Sequence, residues 1–221
     1  MLFVLKRECG EEFTNKIEGM MKDMSTSEIV MEDYVQSNKI EDKNFEIKVL
    51  TQGNWPIQSR TQIKIPDQVN SSFEEFASYY KMKYQGKALK WSPILSFCEI
   101  EGTFDMNKPK KRIITIEVSL IQTAVLMLYN TKDTYSFEEI MAEIATDEET
   151  LESVLVSMCS MQYKILKKSN KKTRNVKSDE SFTIDDGFRP KLKKISISAA
   201  TKKQTQQESE ETHSRVLEER K

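Results

Sequence analysis

The chain has 221 residues, of which 38% are hydrophobic and 31% are charged, and its formal net charge is −1. This length accommodates one or two packed domains, and the charge shows no overall bias toward nucleic acid or acidic membranes. No run of 18 apolar residues occurs, so we predict no membrane-spanning helix. Cys9, Cys98, Cys159 and the single His213 are too few and too scattered for a zinc site. An odd number of isolated cysteines indicates a reducing compartment, and we expect the protein in the cytoplasm, the nucleus or both.

The first segment predicts a helix. Apolar residues in positions 2–24 recur at steps of three and four, which places them on one side of a helix. Gly10 and Gly19 lie inside this stretch, and each costs about 1 kcal/mol relative to Ala in a helix interior. We therefore expect another element to pack closely against the backbone there.

A second helix is predicted directly after the first. Ser25 and Glu28 form a Ser-x-x-Glu capping box, from which a helix would run to about residue 35. The positions that we expect to be buried in it are Ile29, Val30 and Tyr34. Two helices cannot bury their own apolar faces, so residues 1–44 are interpreted as the end of a larger helical bundle.

Residues 45–118 predict a small α/β unit. Residues 45–50 alternate apolar and charged side chains, which is the period of a half-buried strand. A helix with an aromatic face follows over residues 71–84, and Gly86 ends it. Three more strands are predicted at residues 89–91, 95–104 and 113–118, which makes the sheet mainly antiparallel.

Residues 119–200 predict a winged-helix unit. A strongly apolar helix over residues 120–129 is followed by helices that begin at Ser136, in a second capping box, and after Asp147. Strands at residues 163–166 and 181–184 flank a lysine-rich loop, and residues 192–197 suggest a last strand. Residues 201–221 are interpreted as a polar linker and the start of a helix. The predicted fold class is α+β.

Several segments of the chain resemble the C-terminal region of cullins, in the order in which that family has them. The resemblance is nearest to the cullin branch that uses BTB-domain adaptors. The matching segments are residues 8–24 (ECGEEFTNKIEGMMKDM), 49–58 (VLTQGNWPIQ), 73–80 (FEEFASYY), 84–91 (YQGKALKW), 118–130 (VSLIQTAVLMLYN), 135–140 (YSFEEI) and 182–188 (FTIDDGF).

The resemblance implies a scaffold subunit of a cullin-RING ubiquitin ligase. In that family an extended strand of an RBX-type RING protein completes an open sheet, and the RING protein recruits a ubiquitin-conjugating enzyme. Backbone hydrogen bonds give such strand addition its affinity, and alternating side-chain pockets give it specificity. The candidate RING-binding residues lie on two predicted strands and at one tryptophan: Phe45, Ile47, Val49, Trp55, Ile114, Ile116 and Val118.

The same resemblance implies further segments that this sequence does not contain. We expect it to be truncated at both ends relative to the family. Complete cullins hold their substrate adaptors, of BTB type in the branch named above, through N-terminal helical repeats. A second winged-helix unit carries the lysine that a ubiquitin-like protein modifies, so no modification lysine is assigned here.

Two alternatives stay open. The first is a cullin-like subunit of the anaphase-promoting complex. The second is a nucleic-acid-binding winged helix, because the loop 167–174 and Lys177 are rich in cations. The helix that would enter a groove begins with Glu148, Glu149 and Glu152, whose carboxylates repel phosphate. We find no nucleophile elbow, phosphate-binding glycine loop or His-paired Cys, so we predict no catalytic residue, no metal and no cofactor.

Overall fold

A computed structural model describes residues 11–38, 45–55, 62–105, 111–159, 164–170, 176–185 and 187–197. These residues divide into two compact units. Unit 1 contains Met1–Arg60 and Asp67–Lys90, and unit 2 contains Thr61–Pro66 and Trp91–Lys221. The start of the opening helix with Gly10, residues 171–174 of the lysine-rich loop and the predicted linker at 201–221 lie outside the described residues. The domain boundaries predicted at residues 44, 118 and 200 stay predictions.

Unit 1 contains one long helix where two short helices were predicted. Helix α1 spans Glu11–Asn38 without interruption, so Ser25 is not an N-cap. The Ser25 hydroxyl instead donates to the carbonyl of Met21 at 3.3 Å, the usual bond of a serine in a helix interior. Val30 and Tyr34 are buried as predicted, whereas Ile29 is 67% exposed.

The second helix of unit 1 packs aromatic rings against α1. Helix α2 spans Asp67–Lys83 and thus begins four residues before the predicted start at residue 71. Phe76 is fully buried, and its ring lies 5.1 Å from that of Tyr34 in an edge-to-face arrangement. Such pairs contribute about 0.5–1.5 kcal/mol beyond their buried area. Gly86 follows the helix with φ of +80°, which fits the predicted stop.

Unit 2 begins with a mixed sheet of three strands. Strand β1 spans Phe97–Asp105 and pairs antiparallel with β2, Lys111–Ser119. A short strand near the C-terminal end of the described chain, β6 at Lys194–Ser196, pairs parallel with the other side of β2. The sheet order is therefore β1-β2-β6, and residues 89–91 do not form the strand that was predicted for them.

Three helices and a second small sheet follow β2. Helix α3 spans Leu120–Leu128, strand β3 Thr134–Ser136, helix α4 Phe137–Ile144 and helix α5 Glu148–Cys159. Strands β4, Leu166–Lys168, and β5, Ser181–Ile184, complete a sheet of order β3-β5-β4. The helices and the two wing strands occur in the predicted order, and β3 was not predicted.

Local capping explains where these helices begin. The predicted capping box at Ser136 and Glu139 is present, with both of its reciprocal hydrogen bonds. The Asp147 carboxylate accepts from the N–H of Thr150 at 2.8 Å, as expected for the cap of α5. A further capping box joins Ser119 to Gln122 at the start of α3.

A single apolar core holds unit 2 together. It extends from β2 through α3, α4 and α5 to β5, and Val125, Ile140, Leu155 and Phe182 are fully buried within it. The α+β fold class is confirmed. None of the described helices has both the length and the apolar character needed to cross a bilayer.

Candidate partner-binding site

The predicted binding residues fall into two sets, one in each unit. Three of them, Ile114, Ile116 and Val118, lie on β2 and are 0%, 1% and 2% exposed. Their strand is internal, because β1 pairs with one side of it and β6 with the other. An alternating apolar pattern fits a central strand as well as an edge strand, since both bury one face. We therefore assign these three side chains to the core of unit 2 and remove them from the candidate site.

The other set lies in residues 45–55 of unit 1, which have no neighbouring strand among the described residues. Val49 and Thr51 both donate their backbone N–H groups to α1, which is the alternation expected of an extended backbone. Residues 45–50 belong to no β-ladder, which corrects the predicted strand. The backbone N–H of Val49 donates to the Ser27 hydroxyl at 2.8 Å, and that hydroxyl lies 3.0 Å from the Val49 carbonyl oxygen. A side chain of α1 thus takes the place that a neighbouring strand would have.

A buried carboxylate on α1 binds the chain just beyond residue 50. Asp23 is 8% exposed, and its oxygens accept from the backbone N–H of Thr51 at 2.8 Å and from the Thr51 hydroxyl at 2.6 Å. It also accepts from the indole N–H of Trp55 at 2.9 Å and from the side chain of Asn54 at 3.4 Å. Burial by itself raises the pKa of Asp23, but these hydrogen bonds outweigh it and hold the pKa below its usual value.

Gly19 explains how the turn comes so close to α1. A Cβ atom at this position would lie 2.5 Å from Nδ2 of Asn54, well inside van der Waals contact. The sequence predicted a close neighbour at this glycine, and Asn54 is that neighbour. Gly53, next to it in the turn, has φ of +100°, a conformation that favours glycine.

The side chains of residues 45–50 divide between two faces. The Phe45 ring lies 5.6 Å from that of Phe73 on α2, and Ile47 is 9% exposed. Glu46 and Lys48 are exposed and form an ion pair at 2.6 Å with each other. Of the residues that were predicted to contact a partner, Phe45 and Ile47 thus pack within unit 1, and their predicted partner contacts stay predictions. Trp55 is held by Asp23, and its predicted role as a partner anchor stays a prediction.

Unit 2 contains an edge strand that sequence reasoning did not single out. Among the described residues, no strand pairs with the outer side of β1. One face of this hairpin exposes Phe97 and Ile113, which are 73% and 59% exposed. Glu99 on the same face pairs with Lys194 of β6. A strand was predicted at residues 95–104, but no local signal in the sequence shows which of its edges is open.

Two lysines in the wing of unit 2 are paired with carboxylates. Lys167 pairs with Asp185 at 2.6 Å, and Lys168 pairs with Glu180 at 3.5 Å. Helix α5 begins with Glu148 and Glu149, as the sequence predicted. These carboxylates argue against phosphate binding at the helix that a winged-helix protein uses for recognition.

Chemically reactive groups are scarce in the described residues. The thiol of Cys159 is half-buried, and burial raises its pKa to about 12, so it is protonated at neutral pH. No cluster of three or more His, Cys, Asp or Glu residues suited to a metal ion occurs in the described ranges.

Comparison with known proteins places this geometry in a family. The model of the cullin alpha+beta domain matches residues 49–188, and that of the cullin alpha solenoid domain matches residues 1–31. The chain belongs to the cullin family. The first match covers the 49–55 segment and the winged-helix region as far as residue 188, and the family prediction is confirmed.

Curated cullins match the chain over its length. It is 32% identical to cullin-3A of Arabidopsis thaliana and 31% identical to cullin-4A of Mus musculus, with 100% of the chain aligned in both cases. Cullin-2 of Arabidopsis thaliana is 31% identical over 89% of the chain. The chain spans 30%, 29% and 26% of the length of these three relatives. The predicted nearness to the cullin branch that uses BTB-domain adaptors is compatible with these matches. The sequence identities of the three relatives to this chain differ by one percentage point.

Proposed function

We propose that this cullin chain is the RING-binding part of a ubiquitin ligase scaffold. The observation that carries the proposal is the extended segment 45–50, whose backbone is held on one side by Ser27 and has no neighbouring strand among the described residues. An RBX-type RING protein would add a strand to this segment, and the backbone hydrogen bonds so formed would supply much of the affinity.

The scaffold would act through proximity and not through chemistry of its own. A bound RING protein would recruit a ubiquitin-conjugating enzyme and hold its thioester near a substrate lysine, which raises the effective concentration of the reacting groups. Substrate adaptors would bind through the N-terminal repeats of a complete cullin.

Co-expression with an RBX-type RING protein tests the proposal. We expect the two proteins to co-elute in size-exclusion chromatography, and the complex to persist as the salt concentration rises. A phosphate-binding protein would instead lose affinity for nucleic acid steeply with salt. Separate elution of the RING protein, with this chain eluting as a folded monomer, would contradict the proposal.

A matched pair of variants locates the interface. Leu50→Asp places a charge on the face of the segment opposite to that of Phe45 and Ile47 and should weaken the complex, while circular dichroism shows the helices intact. Ile29→Asp is the control, because Ile29 is an apolar residue of α1 that is already 67% exposed. Equal binding of both variants would move the interface away from residues 45–50.

A further inference from the structure

We infer that Gly19, Asp23 and Ser27 are positioning residues that hold residues 45–55 as a one-sided template for the partner strand. The inference rests on the proposed function and names how this chain prepares that binding edge. The three residues are spaced by four, so they form one row along a single face of α1. Each of them contacts the 49–55 stretch, through close approach at Gly19 and through hydrogen bonds at the other two.

Helical geometry explains why the row has these residue types. The backbone groups in a helix interior are already used within the helix, so only side chains can bind a neighbouring extended chain. Ser27 is fully buried, and its hydroxyl accepts from Val49 while lying 2.7 Å from the carbonyl oxygen of Asp23. Asp23 provides an ionised acceptor, whose hydrogen bonds are stronger than those of a neutral group. Gly19 has no Cβ and lets the turn approach.

The direction of these bonds determines which edge of the segment is open. In an extended chain the N–H and C=O of one residue point to the same side, and those of the next residue point to the opposite side. Val49 and Thr51 both donate their N–H groups to α1. By this alternation the backbone groups of Glu46, Lys48 and Leu50 point away from α1, and no backbone–backbone hydrogen bond joins them to another described residue.

This alternation gives a register for the partner. A strand added to the open edge would exchange backbone hydrogen bonds with Glu46, Lys48 and Leu50, while Val49 and Thr51 stay bound to α1. Without the row on α1, residues 45–55 would have to lose their conformational freedom at the moment of binding. Ordering an extended backbone costs roughly 1–2 kcal/mol per residue, so prior fixation favours association.

Residue-resolved amide hydrogen exchange of the full chain tests the inference directly. In the free chain we expect the amides of Val49 and Thr51 to be protected and those of Glu46, Lys48 and Leu50 to exchange rapidly. Addition of an RBX-type RING protein should protect the second group and leave the first unchanged. Protection that rises at Val49 and Thr51 instead, or at none of the five amides, would overturn the inference. If Gly19, Asp23 and Ser27 only stabilised the fold, addition of the RING protein would not protect every second amide of the segment.

Paired variants provide the second test. Ser27→Ala should weaken RING binding by about tenfold, because a buried backbone N–H loses its acceptor. Ser25→Ala is the control, since Ser25 is exposed on the same helix and contacts only its own helical backbone. Asp23→Asn is paired in the same way with Glu18→Gln, whose side chain is exposed.

The outcomes separate this inference from the proposed function. If the wild-type chain binds the RING protein and all four variants bind equally well, the positioning role fails and the proposed function stands. If the wild-type chain binds no RING protein, both fail. Tenfold weaker binding of Ser27→Ala and Asp23→Asn, with both controls unchanged, supports the row as the device that prepares the edge.

Discussion

Gln122 on α3 and Ser157 on α5 are joined by a hydrogen bond of 2.9 Å between the amide Nε2 and the hydroxyl oxygen. Both side chains are buried, at 0% and 9% exposed. The amide oxygen of Gln122 accepts from the N–H of Ser119, and Ser157 donates to the carbonyl of Val154 at 2.6 Å. The buried amide of Gln122 therefore caps the start of α3 through its oxygen and connects α3 to α5 through its nitrogen.

Ser157→Ala should lower the stability of unit 2, because the amide of Gln122 would keep its buried N–H without an acceptor. Leaving such a donor without a partner costs about 1–3 kcal/mol. Thermal unfolding followed by circular dichroism would measure the change. Ser178→Ala, in an exposed turn, should leave the unfolding temperature unchanged. Equal temperatures for the two variants would contradict the role assigned to the Gln122–Ser157 bond.

Ala145→Gly should stabilise the protein. Ala145 ends α4 with φ of 53° and ψ of 47°, a left-handed conformation that favours glycine. Removal of the Cβ penalty contributes roughly 1–2 kcal/mol, and the greater freedom of glycine in the unfolded chain offsets about 0.4–1 kcal/mol of it, so the net change should be stabilising. Ala142→Gly is the control and should lower stability. Ala142 is exposed within the helix, where glycine costs about 1 kcal/mol relative to alanine. A loss of stability in both variants would contradict the prediction.

Ile116→Asp should unfold unit 2 and should not serve as a test of partner binding. The side chain is 1% exposed on the central strand β2, and an isolated carboxylate in an apolar core costs several kcal/mol. Ile113 lies on the opposite face of the same strand and is 59% exposed, so the Ile113→Asp variant should fold normally. One-dimensional proton spectra of the two variants would show this contrast as loss or retention of dispersed methyl signals.

The contact between Asp23 and Trp55 should break in acid. Because the hydrogen bonds hold the pKa of Asp23 below its usual value of 3.8 in the folded chain, the unfolded chain binds the proton more readily. The stabilisation is therefore complete above about pH 4 and is lost as the pH falls through the lower pKa of the folded state. Fluorescence of Trp55 in a Trp91→Phe background would follow this loss. Asp23→Asn should abolish the transition, and its persistence would assign it to another group.

Gly19→Ala and Asn54→Ala should be coupled. An alanine at position 19 improves helix propensity by about 1 kcal/mol, but its Cβ would displace the Asn54 side chain. In an Asn54→Ala background the displacement is relieved, so Gly19→Ala should then stabilise the chain. A double-mutant cycle on unfolding free energies would measure this interaction, and additivity of the two changes would contradict it.

The local part of the fold could be predicted from sequence. Ser136 and Glu139 are three residues apart, so their capping box depends on nothing distant, and the helix begins where the pattern indicated. The same reasoning misread Ser25, because a serine in a helix interior can bond back to a carbonyl four residues earlier. Neither glycine nor proline follows Met24 to end the helix, and that absence was the better signal.

Only part of the candidate site could be predicted from the sequence, and the reason is physical. Residues 45–50 carried a visible alternation, but whether an alternating segment joins a sheet depends on which element lies beside it. Asp23 and Ser27 were not singled out, and their burial comes from the return of the chain at residues 49–55. The row of Gly19, Asp23 and Ser27 at four-residue spacing was a signal that could have indicated this contact.

The parallel pairing of β6 with β2 has a consequence for synthesis of the chain. Thr115 lies opposite Lys194, 79 residues later. Hairpin β1–β2 is local and can close as soon as it leaves the ribosome, whereas contacts of large sequence separation form slowly. A nascent chain therefore carries β2 with one side bare while α3, α4, α5 and the wing emerge. The sheet is completed last, by the three residues that follow Lys193, and until then the edge of β2 is exposed to association with other chains.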